Sequence, residues 1–119
     1  MSTHPNVILL AVLTPDDLAR KTYRALCAEY AGGEDSDNDF KIGSRSYHHE
    51  VMEGDYHESW QISAPEGSII VFDLVTYGYG EFVTWQALRE QYIALSEWAT
   101  SVCDRYKCKF DIRVTANYW

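Results

Sequence analysis

"NVILLAVLTPDD", residues 6–17, is the stretch on which the reading of the fold turns. Asn6–Thr14 carries apolar side chains at both parities. A strand with one wet face alternates, so this pattern predicts a central strand covered on both faces. The stretch then predicts a helix start. Thr14 takes the N-cap, Pro15 the first helical position, and Asp16 and Asp17 the positive first turn. Leu18, Ala19, Tyr23, Leu26, Cys27 and Tyr30 follow at helical spacing and form one apolar stripe. Gly32 and Gly33 end the helix.

Further along, "IIVFDLVTY", Ile69–Tyr77, repeats the pattern of apolar residues at both parities and predicts a second central strand. Between the two lies "EDSDND", an acidic loop in which Asp35, Asp37 and Asp39 alternate as at the start of a calcium loop. Phe40 occupies the position of the obligatory Gly and Ser46 that of the closing Glu, so the loop reads as a polar connection. Phe40–Met52 reads as a strand whose parity switches at Gly43 and Ser44, where a bulge is the simplest account. Glu53–Tyr56 makes a turn around Gly54-Asp55, Tyr56–Ala64 returns as a strand, and Pro65–Ser68 forms a second turn. After a corner at Gly78, Tyr79 and Gly80, Thr84 caps a long helix to about Tyr106. Its stripe is Trp85, Leu88, Tyr92, Leu95, Trp98 or Ala99, Val102 and Tyr106. The last strand alternates. Phe110, Ile112, Val114, Ala116 and Tyr118 lie on a dry face, with Lys109, Asp111, Arg113, Thr115 and Asn117 on a wet one.

The expected architecture is therefore a single α+β domain over residues 1–119 in the order β-α-β-β-β-α-β. It has a mostly antiparallel sheet with two helices on one face, a ferredoxin-like variant of the split βαβ theme.

Charge and composition narrow the function. The 119 residues carry a net charge of −8, and aromatics make up 14%. Residues 29–66 hold ten acids (Glu29, Glu34, Asp35, Asp37, Asp39, Glu50, Glu53, Asp55, Glu58, Glu66) and only Lys41 and Arg45 as bases. The remainder is balanced. Such a segment repels nucleic acid and acidic membranes and steers a basic partner. No secretion signal opens the sequence, and Val7–Leu13 is too short to cross a bilayer, so a cytoplasmic location is expected. Cys27, Cys103 and Cys108 lack redox or zinc spacing and read as reduced thiols.

"SYHHEVMEGDYHESW", residues 46–60, is the densest chemistry in the chain. On a hairpin turning at Gly54-Asp55, Val51 faces Glu58, His49 faces Trp60 and Tyr47 faces Ile62. The opposite face sets His48, Glu50 and His57 together, a zinc geometry short of a fourth ligand. Extending the register through the second turn aligns His49, Trp60 and Asp73 in a row. No phosphate-binding loop, nucleophile elbow or metalloprotease motif is present. Neither a catalytic residue nor a metal or cofactor is assigned.

The expectation is a small acidic binding protein that inhibits or neutralises a basic macromolecular partner, such as a nuclease or a nucleic-acid-binding complex. Toxin-immunity proteins and phage anti-defence inhibitors, anti-CRISPR proteins among them, share this size and charge. The expected contact residues are Asp35, Asp37, Asp39, Tyr47, His48, Glu50, Glu53, Asp55, Tyr56, His57, Glu58, Trp60 and Tyr79. The alternative is a small enzyme or ligand-binding domain with a pocket near His49, Trp60, Asp73 and Tyr77. A homodimer through the edge of the last strand, or through the aromatic C-terminal segment Asn117-Tyr118-Trp119, is a further expectation.

Overall fold

A computed structural model describes residues 5–16, 19–32, 39–43, 45–58, 60–72 and 84–118. Among the described residues nine elements follow one another: β1 (Pro5–Pro15), α1 (Ala19–Tyr30), β2 (Asp39–Ile42), β3 (Arg45–Val51), β4 (Tyr56–His57), β5 (Ile62–Ser63), β6 (Ile69–Phe72), α2 (Trp85–Tyr106) and β7 (Cys108–Tyr118). Five strands form one sheet in the order β2-β3-β6-β1-β7, and every neighbouring pair is antiparallel. β4 and β5 form a separate two-stranded ladder. The class is α+β, with two helices.

β1 is central and covered on both sides, as its unbroken apolar run requires. Leu9, Ala11 and Leu13 face the helices, where they pack with Leu26 and Cys27 of α1 and Leu95, Ala99 and Val102 of α2. Ile8, Leu10 and Val12 face the other way, where they meet Met52, Trp60, Ile62 and Phe72. The molecule thus has three layers: helices, sheet, and the excursion 52–68 that carries β4 and β5.

Four expectations are corrected here. The first helix does not start at Thr14. β1 runs on through Pro15, with Thr14 opposite Lys109 and Pro15 opposite Cys108. The Asp16 N–H then donates to the Lys107 carbonyl at 3.0 Å. Ladder pairing with β7 satisfies these backbone groups, so capping chemistry at Thr14 has nothing to cap. Its hydroxyl sits 3.1 Å from that of Ser68 instead.

The parity switch at Gly43 is a turn rather than a bulge. Ile42 pairs with Arg45 and Asp39 with His48, so Phe40–Met52 is two strands of a tight hairpin. Gly43, at φ +65°, supplies the left-handed residue such a turn demands.

The third correction concerns register. β3 does not pair with residues 56–64; it pairs with β6, His48 facing Phe72 and Val51 facing Ile69. Residues 52–68 leave the sheet and fold back over its second face. Their neck is closed by Met52 N–H to Ser68 O at 2.8 Å and Gly67 N–H to Met52 O at 3.0 Å. Pro65–Ser68 is a turn as expected, with Ser68 N–H donating to Pro65 O and Gly67 at φ +89°.

The fourth is the division of α2 and β7 into dry and wet sides. α2 starts where the sequence predicts, Thr84 Oγ1 accepting from Ala87 N–H at 3.1 Å. It ends at Lys107 in the left-handed region. Yet Trp85 (77% exposed), Tyr92 (52%) and Val114 (61%) lie open. The wet face of β7 in turn holds the excursion. Arg113 donates to the Ser63 carbonyl, and Thr115 Oγ1 donates to the Trp60 carbonyl at 3.0 Å.

Candidate functional site

Among the described residues β2 begins at Asp39, opposite His48. Beyond that point the last residues of β3, His49 to Val51, run past this start of β2. A cleft of about 480 Å³ opens there, between α1, the end of β3 and β4. Because strand side chains alternate, β3 lends it Glu50 from one face and His49 and Val51 from the other. α1 contributes Arg20 and Tyr23, and the excursion contributes Glu53, Gly54, Tyr56, His57 and Glu58.

The centre of the cleft is a bonded pair. His57 Nε2 lies 2.8 Å from Glu50 Oε2. The Trp60 backbone N–H lies 3.3 Å from His57 Nδ1. A backbone amide can only donate, so Nδ1 must accept and the ring proton sits on Nε2, donated to Glu50. Both ring nitrogens are therefore engaged within the protein, and His57 has none left for a substrate. Behind the pair, Tyr23 lies tilted against His49 with ring centroids 5.6 Å apart, and Arg20 stands 5.7 Å over the Tyr23 ring. His49 is buried, its Nδ1 4.0 Å from Cys27 Sγ.

The rim is acidic and aromatic. Glu53 and Glu58 are exposed, and Tyr56 is an exposed large aromatic. Such a rim can hold a guanidinium or ammonium group between carboxylates, with an aromatic face as platform.

The expected contact residues separate into groups. Glu50, Glu53, Tyr56, His57 and Glu58 come together in the cleft. Asp55 lies beside it, in a neighbouring hollow that Tyr56 also lines. Tyr47 is no surface anchor. It is 1% exposed, and its hydroxyl donates to Gln91 Oε1 of α2 at 2.6 Å. Trp60 is likewise core, its ring 4.5 Å from Phe72. His48 stacks on Phe72 with ring centroids 5.8 Å apart. Asp39 stands opposite His48 in the ladder. Asp35, Asp37, Tyr79, Asp73 and Tyr77 lie outside the described residues.

The row of His49, Trp60 and Asp73 does not form. His49 pairs with Val71, and Trp60 packs in the cluster on the sheet's other face. Among the described residues no three potential metal ligands come together. Arg20 and Tyr23 are additions that the hairpin reading missed. Their spacing of three residues on α1 puts them on one side of the helix, but only the fold shows that this side lines the cleft.

A second charged cluster clasps the helices together. Glu29 accepts from Arg105 and from the Tyr106 hydroxyl, and Arg105 Nη2 donates to Tyr30 Oη at 2.8 Å. The Tyr106 hydroxyl, and next the Arg105 guanidinium, hold the Glu29 carboxyl below its ordinary range. Its bond to Glu29 raises Tyr106 to about 12. At the C-terminal end of α2, Cys108 Sγ lies 2.9 Å from Cys103 Sγ. That contact, and then burial, push the Cys103 thiol up.

No family model, curated protein or solved structure matches this chain. Among the described residues no helix is long and apolar enough to cross a membrane.

Proposed function

We propose that this is an acidic binding protein that inhibits or neutralises a basic macromolecular partner by taking cationic side chains into the cleft beside β3. One observation carries the reading: Glu50, Glu53 and Glu58 converge with Tyr56 on a single cleft. They belong to the segment 29–66, which holds the whole net charge. Carboxylates so placed speed association with a positive surface, and an exposed aromatic beside them supplies a contact of the kind that dominates binding energy. A nuclease or a nucleic-acid-binding complex presents such a surface, since it must itself attract phosphate. This chemistry suits a cytoplasmic inhibitor of the toxin-immunity or phage anti-defence type, anti-CRISPR proteins included. The same charge disfavours direct contact with nucleic acid or anionic membranes. The frame itself we read as a ferredoxin-like variant. With β2 as an added edge strand and β4–β5 as an insertion, the remaining order β3-β6-β1-β7 follows the split βαβ theme.

The test is a pull-down from host lysate at low and high salt, with the native protein beside a Glu50/Glu53/Asp55/Glu58→Gln variant. A partner retained by the native bait, lost with the variant and weakened by salt supports the reading. Equal capture by both baits refutes it. The cleft volume of about 480 Å³ also suits a small cationic ligand, which keeps a ligand-binding domain as the second reading.

A further inference from the structure

The sheet has a second edge, far from the acidic cleft. β7 pairs with β1 over all eleven of its residues, and among the described residues no strand pairs with its other side. Long free edges are commonly blocked by charge, proline or a covering element. Beside this edge, on the helix side of the sheet, lies a hollow of about 470 Å³ walled by Leu9, Trp85, Leu88, Tyr92, Ile93 and Val114, with Arg89 the one charged residue among its lining. An open edge and an open apolar surface on the same side of the molecule call for one occupant that covers both.

We propose that the occupant is a second copy of this chain, joined through an antiparallel β7–β7 pairing with its twofold axis at Ile112. The sequence of the strand selects both the partner and the register. A twofold normal to the sheet keeps helix side with helix side, so each residue must face one of its own parity. Along each strand Arg113 Nε already lies 3.0 Å from Asp111 Oδ2. With the axis at Ile112, Asp111 faces Arg113 of the mate and Arg113 faces Asp111, so the two intrachain pairs join into one alternating cluster of four charges. Phe110 faces Val114, and Ile112 faces itself, all on the helix side. Moving the axis to Asp111 sets Asp111 against Asp111 and Lys109 against Arg113. Moving it to Arg113 sets Arg113 against Arg113. Like charges directly opposite are unfavourable, which sets these two axes aside. An axis at Phe110 pairs Lys109 with Asp111 but joins only residues 108–112 of the strand, and an axis at Val114 leaves Asp111 and Arg113 opposite uncharged residues; the Ile112 axis joins residues 108–116 and pairs both charges.

The helices agree with this geometry. α2 packs over β1 and β7 together. In a continuous sheet the two α2 axes would then be two strand spacings apart, about 9.6 Å at about 4.8 Å per strand. Packed helices stand about 8–10 Å apart. Trp85, Tyr92 and Ile93, which lie exposed in the single chain, would gain a neighbour at normal packing distance. Charge does not oppose the pairing. Residues 84–118 hold five bases (Arg89, Arg105, Lys107, Lys109, Arg113) against four acids (Glu90, Glu97, Asp104, Asp111). The acidity lies toward the opposite edge, on and beyond β3, and the cleft there stays open in the dimer.

Sedimentation velocity over roughly a hundredfold range of protein concentration tests the proposal, because dimerisation follows mass action. A concentration-dependent dimer is expected. Asp111→Arg sets two pairs of like charges across the axis and weakens the dimer by about tenfold or more. Adding Arg113→Asp restores opposite pairing and recovers association, which a general loss of folding would not do. Val114→Lys, at an exposed position, breaks the dimer while its circular dichroism and melting remain those of a folded chain. A native protein that stays monomeric overturns the proposal and leaves this face to another chain. A dimer that withstands both Asp111→Arg and Val114→Lys overturns it too, because its interface lies elsewhere.

Discussion

Truncating Trp60 to alanine tests the three-layer arrangement, because the two readings of this residue differ several-fold in the size of their consequence. A surface anchor can be removed with little effect on folding, usually within about 0.5 kcal/mol. The structure instead gives a core residue, 7% exposed, packed with Ile8, Leu10, Met52 and Ile70 and lying 4.5 Å ring to ring from Phe72. A buried Trp covers about 150–250 Å². At about 25 cal/mol per Å² its burial contributes roughly 4–6 kcal/mol. Alanine keeps part of that contact, and measured Trp or Phe truncations in cores cost about 3–5 kcal/mol. The backbone bonds of Trp60, to His57 Nδ1 and from Thr115, do not depend on its ring, so the loss isolates the side chain. One competing process limits it. The 52–68 excursion is held at its neck by a few backbone bonds and can open without the sheet, so the measured loss cannot exceed what separates that local opening from global unfolding. Urea unfolding followed by circular dichroism gives the value. Amide exchange shows whether residues 55–64 lose protection before β1 does. A loss below about 1 kcal/mol with an unchanged denaturant slope would refute Trp60 as the keystone of the second core.

Four further outcomes follow from the geometry. Tyr47→Phe leaves the buried Gln91 Oε1 without the Tyr47 hydroxyl and should cost about 1–3 kcal/mol in denaturant unfolding. Tyr47→Phe combined with Gln91→Leu should cost less than the two single losses added, and strict additivity would show that the bond contributes nothing. Since its folded pKa is lowered, Glu29 contributes stability above its ordinary value of 4.5 and loses it as pH falls through the lower folded value. Thermal melts should therefore place Tyr106→Phe below the native protein at neutral pH, the two converging in acid. Nitrogen chemical shifts of His57 at neutral pH should show the proton on Nε2, and a dominant Nδ1–H form would contradict the Trp60 amide bond. Cys103 should react with iodoacetamide more slowly than a free thiol. Cys108→Ala should speed that reaction by removing the contact that raises Cys103 most.

How far the sequence could be read depends on whether one local signal acted alone. Thr84 is a polar residue followed by helical spacing, no strand pairs with it among the described residues, and α2 begins at the next residue. Thr14-Pro15-Asp16-Asp17 carries the stronger capping signature and fails. Lys109 and Cys108 of the distant β7 supply ladder bonds to the same backbone. Propensity near the chain is a weak prior against a long-range partner that satisfies the same donors. The parity switch at Gly43 was visible, but a positive-φ glycine serves a bulge and a two-residue turn equally, and only the Ile42–Arg45 pairing distinguishes them. The exposed positions of α2 and β7 were hidden for a related reason. Helical and strand periods give a face, not what covers it.

The site shows the same logic with a sharper result. The pattern of residues 46–60 predicts one hairpin, on which Glu50 and His57 share a face with His48. In the folded chain Glu50 and His57 do meet, at 2.8 Å, although β3 and β4 are not partners in any ladder. Their proximity survives because both readings fold the chain back near Gly54, and a close return brings positions a few residues either side of the turn together whether or not a ladder joins them. What differs is everything farther from the turn. Tyr47 and Trp60, placed on a common surface by the hairpin, go to opposite sides of the sheet and into separate cores. The aromatics best suited to gripping a partner are thereby used to fasten the excursion and α2. The carboxylates, which cannot be buried without a partner, remain with Tyr56 at the open end of β3. The acidic cleft therefore follows from where the apolar residues of the excursion have to go. Glu53 and Glu58 stand beside its bonded Glu50–His57 pair because Trp60 and Met52 anchor the two arms of that excursion to the sheet.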